Sequence, residues 1–242
     1  MRTFDVGNLY YKDLNKMIRY EKDSDITLKN VMGQRFIGCA LKNKKIDITG
    51  IPGNALGACL NEGSVITVHD NCQDATGDTM NEGSIIIHGN CGDTAGYAMR
   101  GGKILIKESG GYRMGLHMKA YQERQPLMII GDKVGSFCGE YLAGGTIIIL
   151  GYRQNGLCPV GNFCGTGMYG GRIFLRSSCL PKDLSPYVDA HVATKEELDS
   201  IQENVEEFCH LFDIDNIHLD TDKFYVISQS KTTLYKKKYT AV

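Results

Sequence analysis

The sequence predicts an all-β protein built as a parallel β-helix of about seven coils, and two observations carry that prediction. One short phrase, Gly-x-x-[Leu/Met], returns seven times, with its glycines at Gly38, Gly57, Gly77, Gly96, Gly115, Gly139 and Gly165. Successive glycines lie 19, 20, 19, 19, 24 and 26 residues apart, and self-similarity at a period near twenty marks a repeat architecture. The second observation is register. A strand-like apolar run starts eight residues after six of the seven glycines, at Ile46, Val65, Ile85, Ile104, Ile147 and Ile173. After Gly115 the run waits until Leu127-Met128-Ile129-Ile130, because the polar stretch Lys119–Gln125 is inserted. Insertions confined to one or two coils, with the register held elsewhere, behave as loops on a solenoid.

Taken in order, residues 1–25 form a lead-in with Leu14, Met17 and Ile18 at helical spacing. Residues 26–176 are the repeats. Each apolar run is too short for a helix, is rich in β-branched residues and follows a turn such as Gly63-Ser64, Gly83-Ser84 or Gly102-Lys103. Equivalent strands must therefore pair in parallel at roughly 4.8 Å per coil, with the glycines stacked where the path bends and the Leu or Met turned inward. Residues 177–242 form a loop, a helix and a tail. Thr194 with Glu197 reads as a capping box. Leu198, Ile201, Val205, Phe208, Leu211 and Phe212 give an apolar stripe that should dock on the end or flank of the β-helix. Phe224-Tyr225-Val226-Ile227 reads as a strand and Lys231–Tyr239 as a basic end.

Formal net charge is -1, which gives no global reason to expect nucleic-acid or membrane-surface binding. No stretch approaches eighteen apolar residues, and the first residues lack an apolar signal core. Nine cysteines, an odd number with no Cys-x-x-Cys pair, then point to a cytoplasmic protein with reduced thiols.

Three segments carry a family resemblance: Gly33-Gln34-Arg35-Phe36-Ile37-Gly38-Cys39-Ala40, the run Cys138 to Gly151, and Asn162 to Gly171. Through them the chain resembles the carboxy-terminal GXGXG domain of the glutamate synthase large subunit, and it is similar to the repeat-bearing subunit of formylmethanofuran dehydrogenase. The resemblance implies a single-stranded, right-handed parallel β-helix that holds no catalytic residue and no cofactor of its own. That chemistry needs an amino-terminal nucleophilic cysteine, where this chain has Arg2, together with an FMN-binding barrel and an iron–sulfur cluster. The expected role is a structural and interaction subunit in glutamate biosynthesis, with glutaminase, FMN and iron–sulfur functions in separate partners. The alternative is the equivalent repeat-bearing component of a formylmethanofuran dehydrogenase-type complex. Homo-oligomerisation stays open. Left-handed β-helix acyltransferases and carbonic anhydrases are enzyme rivals, but their hexapeptide rhythm gives coils of about 18 residues, against the 19 or 20 here.

The sharpest local constellation is His69-x-x-Cys72 with His88-x-x-Cys91, equivalent positions 19 apart in adjacent coils. Stacked, two imidazoles and two thiols can make a tetrahedral zinc set. The alternative is a ladder whose thiols face the core as small hydrophobes. Asn71 and Asp74 stack in the same way on Asn90 and Asp93, which suits satisfaction of turn backbone groups. Cys158 and Cys164 are either a redox pair or one loop and one core cysteine. The Gly-rich phrases precede no helix, which argues against phosphate binding.

Overall fold

The computed structural model describes residues 1–230. One 11-stranded sheet runs the length of the chain in the order β1-β2-β3-β4-β5-β6-β7-β8-β9-β11-β10. The strands are β1 (Arg2–Asp5), β2 (Asp25–Met32), β3 (Lys45–Ile51), β4 (Val65–Val68), β5 (Ser84–Ile87), β6 (Lys103–Ile106), β7 (Leu127–Ile130), β8 (Ala143–Ile149), β9 (Gly170–Arg176), β10 (Val188–Val192) and β11 (Phe224–Gln229). β1 to β9 pair in parallel in sequence order, so the repeats form a parallel β-solenoid of about seven turns. Register is strict because strand side chains alternate between faces. Ile46, Ile66, Ile85, Ile104, Met128, Ile147 and Ile173 make one inward row, and Ile48, Val68, Ile87, Ile106, Ile130, Ile149 and Leu175 the next. All of them are buried.

The recurring phrase is a six-residue turn facing this sheet across the core. Each turn holds three alternate residues at positive φ: the glycine and the residues two before and two after it, as in Ala75 (57°), Gly77 (70°) and Thr79 (49°). The turns are stitched to both neighbouring coils. Gly77 N–H donates to the Leu56 carbonyl below at 2.8 Å, while Ala75 and Thr79 donate to the Asp93 and Tyr97 carbonyls above at 2.8 Å. The glycine answers a second constraint, since a Cβ at Gly77 would sit 2.5 Å from the Cδ1 of Ile104, in the next coil. The residue of the first inward row lies eight positions after Gly38, Gly77, Gly96, Gly139 and Gly165; after Gly57 it is Ile66, nine on, because Val65 pairs with Lys45 and Ser84, and after Gly115 it is Met128, thirteen on.

The lead-in is more than a helix. β1 pairs with β2, so residues 1–25 add a strand to the stack before α1 (Tyr11–Tyr20), which buries Leu14 and Ile18. Arg2-Thr3-Phe4-Asp5 carries too little apolar pattern to show this. The stretch after β9 also contains a strand, β10, where the sequence suggests only loop. β11 inserts antiparallel between β9 and β10 and ends the parallel stacking.

The capping box is present, with Thr194 Oγ1 accepting from Glu197 N–H at 3.2 Å and Glu197 Oε2 accepting from Thr194 N–H at 2.9 Å. The helical region divides into α2 (Lys195–Asp199) and α3 (Gln202–Phe212). It lies along the flank. Ile201, Val205, Phe208 and Phe212 cover Leu105, Ile129, Ile148, Phe174 and Val226 on the outer face of the sheet, forming a second core. Each fully buried large side chain there contributes roughly 1.5–3 kcal/mol. The basic run Lys236-Lys237-Lys238 lies outside the described residues. Among the described residues no helix is long and apolar enough to cross a membrane.

Replacing Gly77 with alanine should cost about 2–4 kcal/mol, from the left-handed backbone and the collision with Ile104. Urea unfolding checks this, and a loss below about 0.5 kcal/mol would contradict the packing described. A second expectation concerns His88, whose ring meets the Phe212 ring edge-on at 5.1 Å. Burial, and then the adjacent positive potential of His69 and Lys107, hold its pKa below the ordinary 6.5, against the opposing pull of Asp47. The folded state resists a proton that the unfolded chain accepts, so stability falls as pH drops through about 6.5. His88→Phe should keep the packing and flatten the change in Tm between about pH 7 and about pH 5.

Candidate functional site

The structure divides the His/Cys constellation. His69 and His88 follow β4 and β5 at the outer corner of the sheet, their rings stacked with centroids 5.2 Å apart. His69 Nε2 meets Asp47 Oδ2 at 2.9 Å, and His88 leans on Phe212. Cys72 and Cys91 instead form a parallel bridge that continues through Gly110 to Val134 and Val160, an inward row in which both thiols are buried. Burial raises the Cys72 thiol well above its ordinary value and pushes Cys91 up to about 12, as for small protonated side chains in a core. The imidazoles meet each other and the thiols meet each other, on different faces of the coil. Among the described residues no group of three or more His, Cys, Asp or Glu converges as a metal site.

The polar ladders serve the backbone. Asn71 Oδ1 accepts from Asn90 N–H at 2.7 Å, and Asn90 Oδ1 accepts from Ser109 N–H at 3.1 Å. Asp74 and Asp93 accept from the Asp93 and Tyr112 N–H groups at 2.9 and 2.8 Å. Cys164 stacks on Cys138 inside the core, whereas Cys158 is half-buried in the longest insertion and packs against the edge of that core. Residues 151–156 of that insertion are fastened to the coils by Arg153, which ion-pairs with Glu108, and by Gln154 Nε2 donating to Asp132 Oδ1 at 2.6 Å.

The surface that stands out is the outer side of the glycine turns. Over the later coils several residues within three positions of the glycines are aromatic or cationic: Tyr97, Tyr112, Arg113, His117, Phe137, Tyr141 and Phe163. The rings stack from coil to coil, His117 on Tyr141 at 5.0 Å and Phe137 on Phe163 at 5.0 Å, with the Arg113 guanidinium 4.9 Å over Phe137. Arg113 Nε also donates to Glu140 Oε2 at 2.9 Å. Tyr97, Tyr112, Tyr141 and Phe163 are between 38% and 55% exposed. Arg113, His117, Phe137, Tyr141 and Phe163 all have φ between 53° and 63°, where bulky residues are disfavoured by about 1–2 kcal/mol each. The same geometry recurs at the equivalent positions of the other turns, as at Ala75 and Thr79, so the conformation belongs to the coil, and what distinguishes this edge is the bulk and chemistry of its side chains. Tyr, Phe and Arg are also the residues enriched at the centres of protein interfaces. The sequence signal for this edge lies in plain view at the positions flanking each glycine, but a repeat is recognised by the residues that recur and this stripe is made of those that vary.

A second concavity of about 770 Å³ lies between the 119–126 insertion and the C-terminal helices. Lys103 Nζ lies 2.6 Å from Glu207 Oε2 and Arg124 Nε 3.7 Å from Glu82 Oε2, and Glu123 adds a further carboxylate to the lining.

Comparison with known proteins agrees with this architecture. The model of the GXGXG motif family matches residues 18–230. An uncharacterized protein of Methanocaldococcus jannaschii, MJ1350, is 42% identical over 222 residues, covering 88% of this chain and 85% of that protein. Among solved structures, a chain of the formyltransferase/hydrolase complex of Methylorubrum extorquens, determined with methylofuran, superposes with a TM-score of 0.65 at 20% identity, covering 86% of each chain. At that identity the likeness is one of fold. The family match spans the turns, the strands facing them and the C-terminal helices alike, and the chain belongs to the GXGXG motif family.

Proposed function

We propose that this chain is a noncatalytic interaction subunit of a glutamate synthase-like oxidoreductase of nitrogen metabolism, working in the cytoplasm. It assembles with separately encoded glutaminase and FMN/iron–sulfur partners and holds no cofactor itself. The observation that carries the interaction role is the stacked and exposed aromatic and arginine edge over the later coils. The glutamate synthase assignment is supported by the GXGXG family match over residues 18–230. A second reading, the repeat-bearing component of a formylmethanofuran dehydrogenase-type complex, is favoured to a similar degree by the resemblance in fold to a chain of the formyltransferase/hydrolase assembly. The two readings share the docking role and differ in the company kept.

Purification of the tagged chain from its own cells, with mass spectrometry of stoichiometric companions, decides between them. Glutaminase and FMN-binding chains are the expected companions; formyltransferase or hydrolase chains would select the second reading, and a chain isolated alone would overturn both. Tyr141→Asp combined with Phe137→Asp should weaken partner retention by about 2 kcal/mol or more, roughly thirtyfold, while thermal stability is retained.

A further inference from the structure

The same turn edge continues to the other end of the solenoid, where it meets α1. Phe36 occupies the position two before Gly38, equivalent to Phe137 and Phe163, and is 42% exposed. Between it and α1 lies a groove of about 340 Å³. Lys12, Lys16 and Arg19 line it at i, i+4 and i+7 of one helical stripe, with Tyr11, Tyr20 and Phe36 as its aromatic surfaces. Arg35 adds a fourth cation, its guanidinium 4.9 Å over the Tyr11 ring.

The charge here is unmatched. No acidic residue lines the groove, Asp13 of α1 included. Among the described residues none of Lys12, Lys16, Arg19 and Arg35 takes part in an ion pair, and what sets them apart from other unpaired cations is that three of them share one groove with no carboxylate in its lining. In a chain of net charge -1, four such cations beside three open aromatic rings form a local field complementary to anions. The rings supply apolar area and the cations steer and orient.

We propose that this groove receives an acidic segment of a partner subunit, a short run of Glu or Asp interleaved with apolar residues. The proposal rests on the interaction-subunit reading above and adds to it a second anchor, electrostatic where the later coils are aromatic. The 770 Å³ concavity carries Glu82 and Glu123 in its lining, and its Lys103 and Arg124 are already ion-paired, which makes that site a poor competitor for the same segment.

The test uses a fluorescein-labelled ten-residue peptide alternating glutamate and leucine, measured by anisotropy on the full chain. Wild type should bind it, about tenfold or more weaker when NaCl is raised from about 50 to about 300 mM, and not bind a matched lysine peptide. Lys12→Gln/Lys16→Gln/Arg19→Gln, at exposed helix positions, should keep the melting temperature and lose about tenfold or more in affinity; Lys12→Glu/Lys16→Glu/Arg19→Glu should abolish binding. Equal binding by the neutral variant, no binding by wild type, or full displacement by millimolar inorganic phosphate, which would mark a small-anion site, each overturns the proposal. Native partners separate the two levels. If they stay with wild type and equally with the charge-reversed variant, the groove is wrong and the interaction role stands; if wild type holds no partner at all, the interaction role is wrong.

Discussion

The interaction on which everything else depends is the stacking of one coil on the next through the glycine turns. Each turn forces three alternate residues into left-handed geometry, a conformation that an isolated segment would abandon. It survives because its N–H groups alternate direction, the glycine bonding to the coil below and its two flanking residues to the coil above. The backbone strain of one coil is therefore compensated by neighbours that carry the same strain. A single repeat could not hold this shape, and the array is cooperative between nearest neighbours by construction.

That constraint also sets the division of labour around the coil. Facing the core, the turns from Gly38 to Gly139 accept no Cβ at the glycine, because an isoleucine of the next coil, or Met128 at Gly96, fills the space. The core is consequently repetitive and leaves little room for a private chemical site. Cys72, Cys91, Cys138 and Cys164 sit in it as small apolar rungs. Facing outward, the residues flanking each glycine are free to vary, since their backbone bonds are made regardless of side chain. Diversity, and with it recognition, is confined to the outer edge. Here it takes two chemistries on one continuous surface, rings and Arg113 over the later coils, cations with rings at α1.

The C-terminal helices solve a different problem. The outer face of the sheet becomes apolar from Leu105 onward, and a solenoid offers no inner partner for it. Phe208 and Phe212 close that face, and β11 turns the stack antiparallel so that no further parallel coil follows. Charge matching follows the same geography: Arg176 Nε donates to Asp222 Oδ2 at 2.7 Å where the C-terminal segment returns to the coils.

The coil itself was legible in the residues alone: its period, the strand that follows most of the glycines at a near-constant offset, and the burial of each Leu or Met, because a structure that repeats in space must repeat in residues. The capping box at Thr194 and the apolar stripe that docks were legible too, being local patterns. Which side of a coil each non-repeating residue faces emerged only from the folded chain. His69 and Cys72 are three residues apart in sequence yet lie on different faces, since a corner of the coil falls between them; β1 and β10 are strands only because a ready-made edge awaits each. The grouping of Lys12, Lys16 and Arg19 with Phe36 likewise depends on where α1 lands, and a docking position is set by long-range packing that no local pattern of residues encodes.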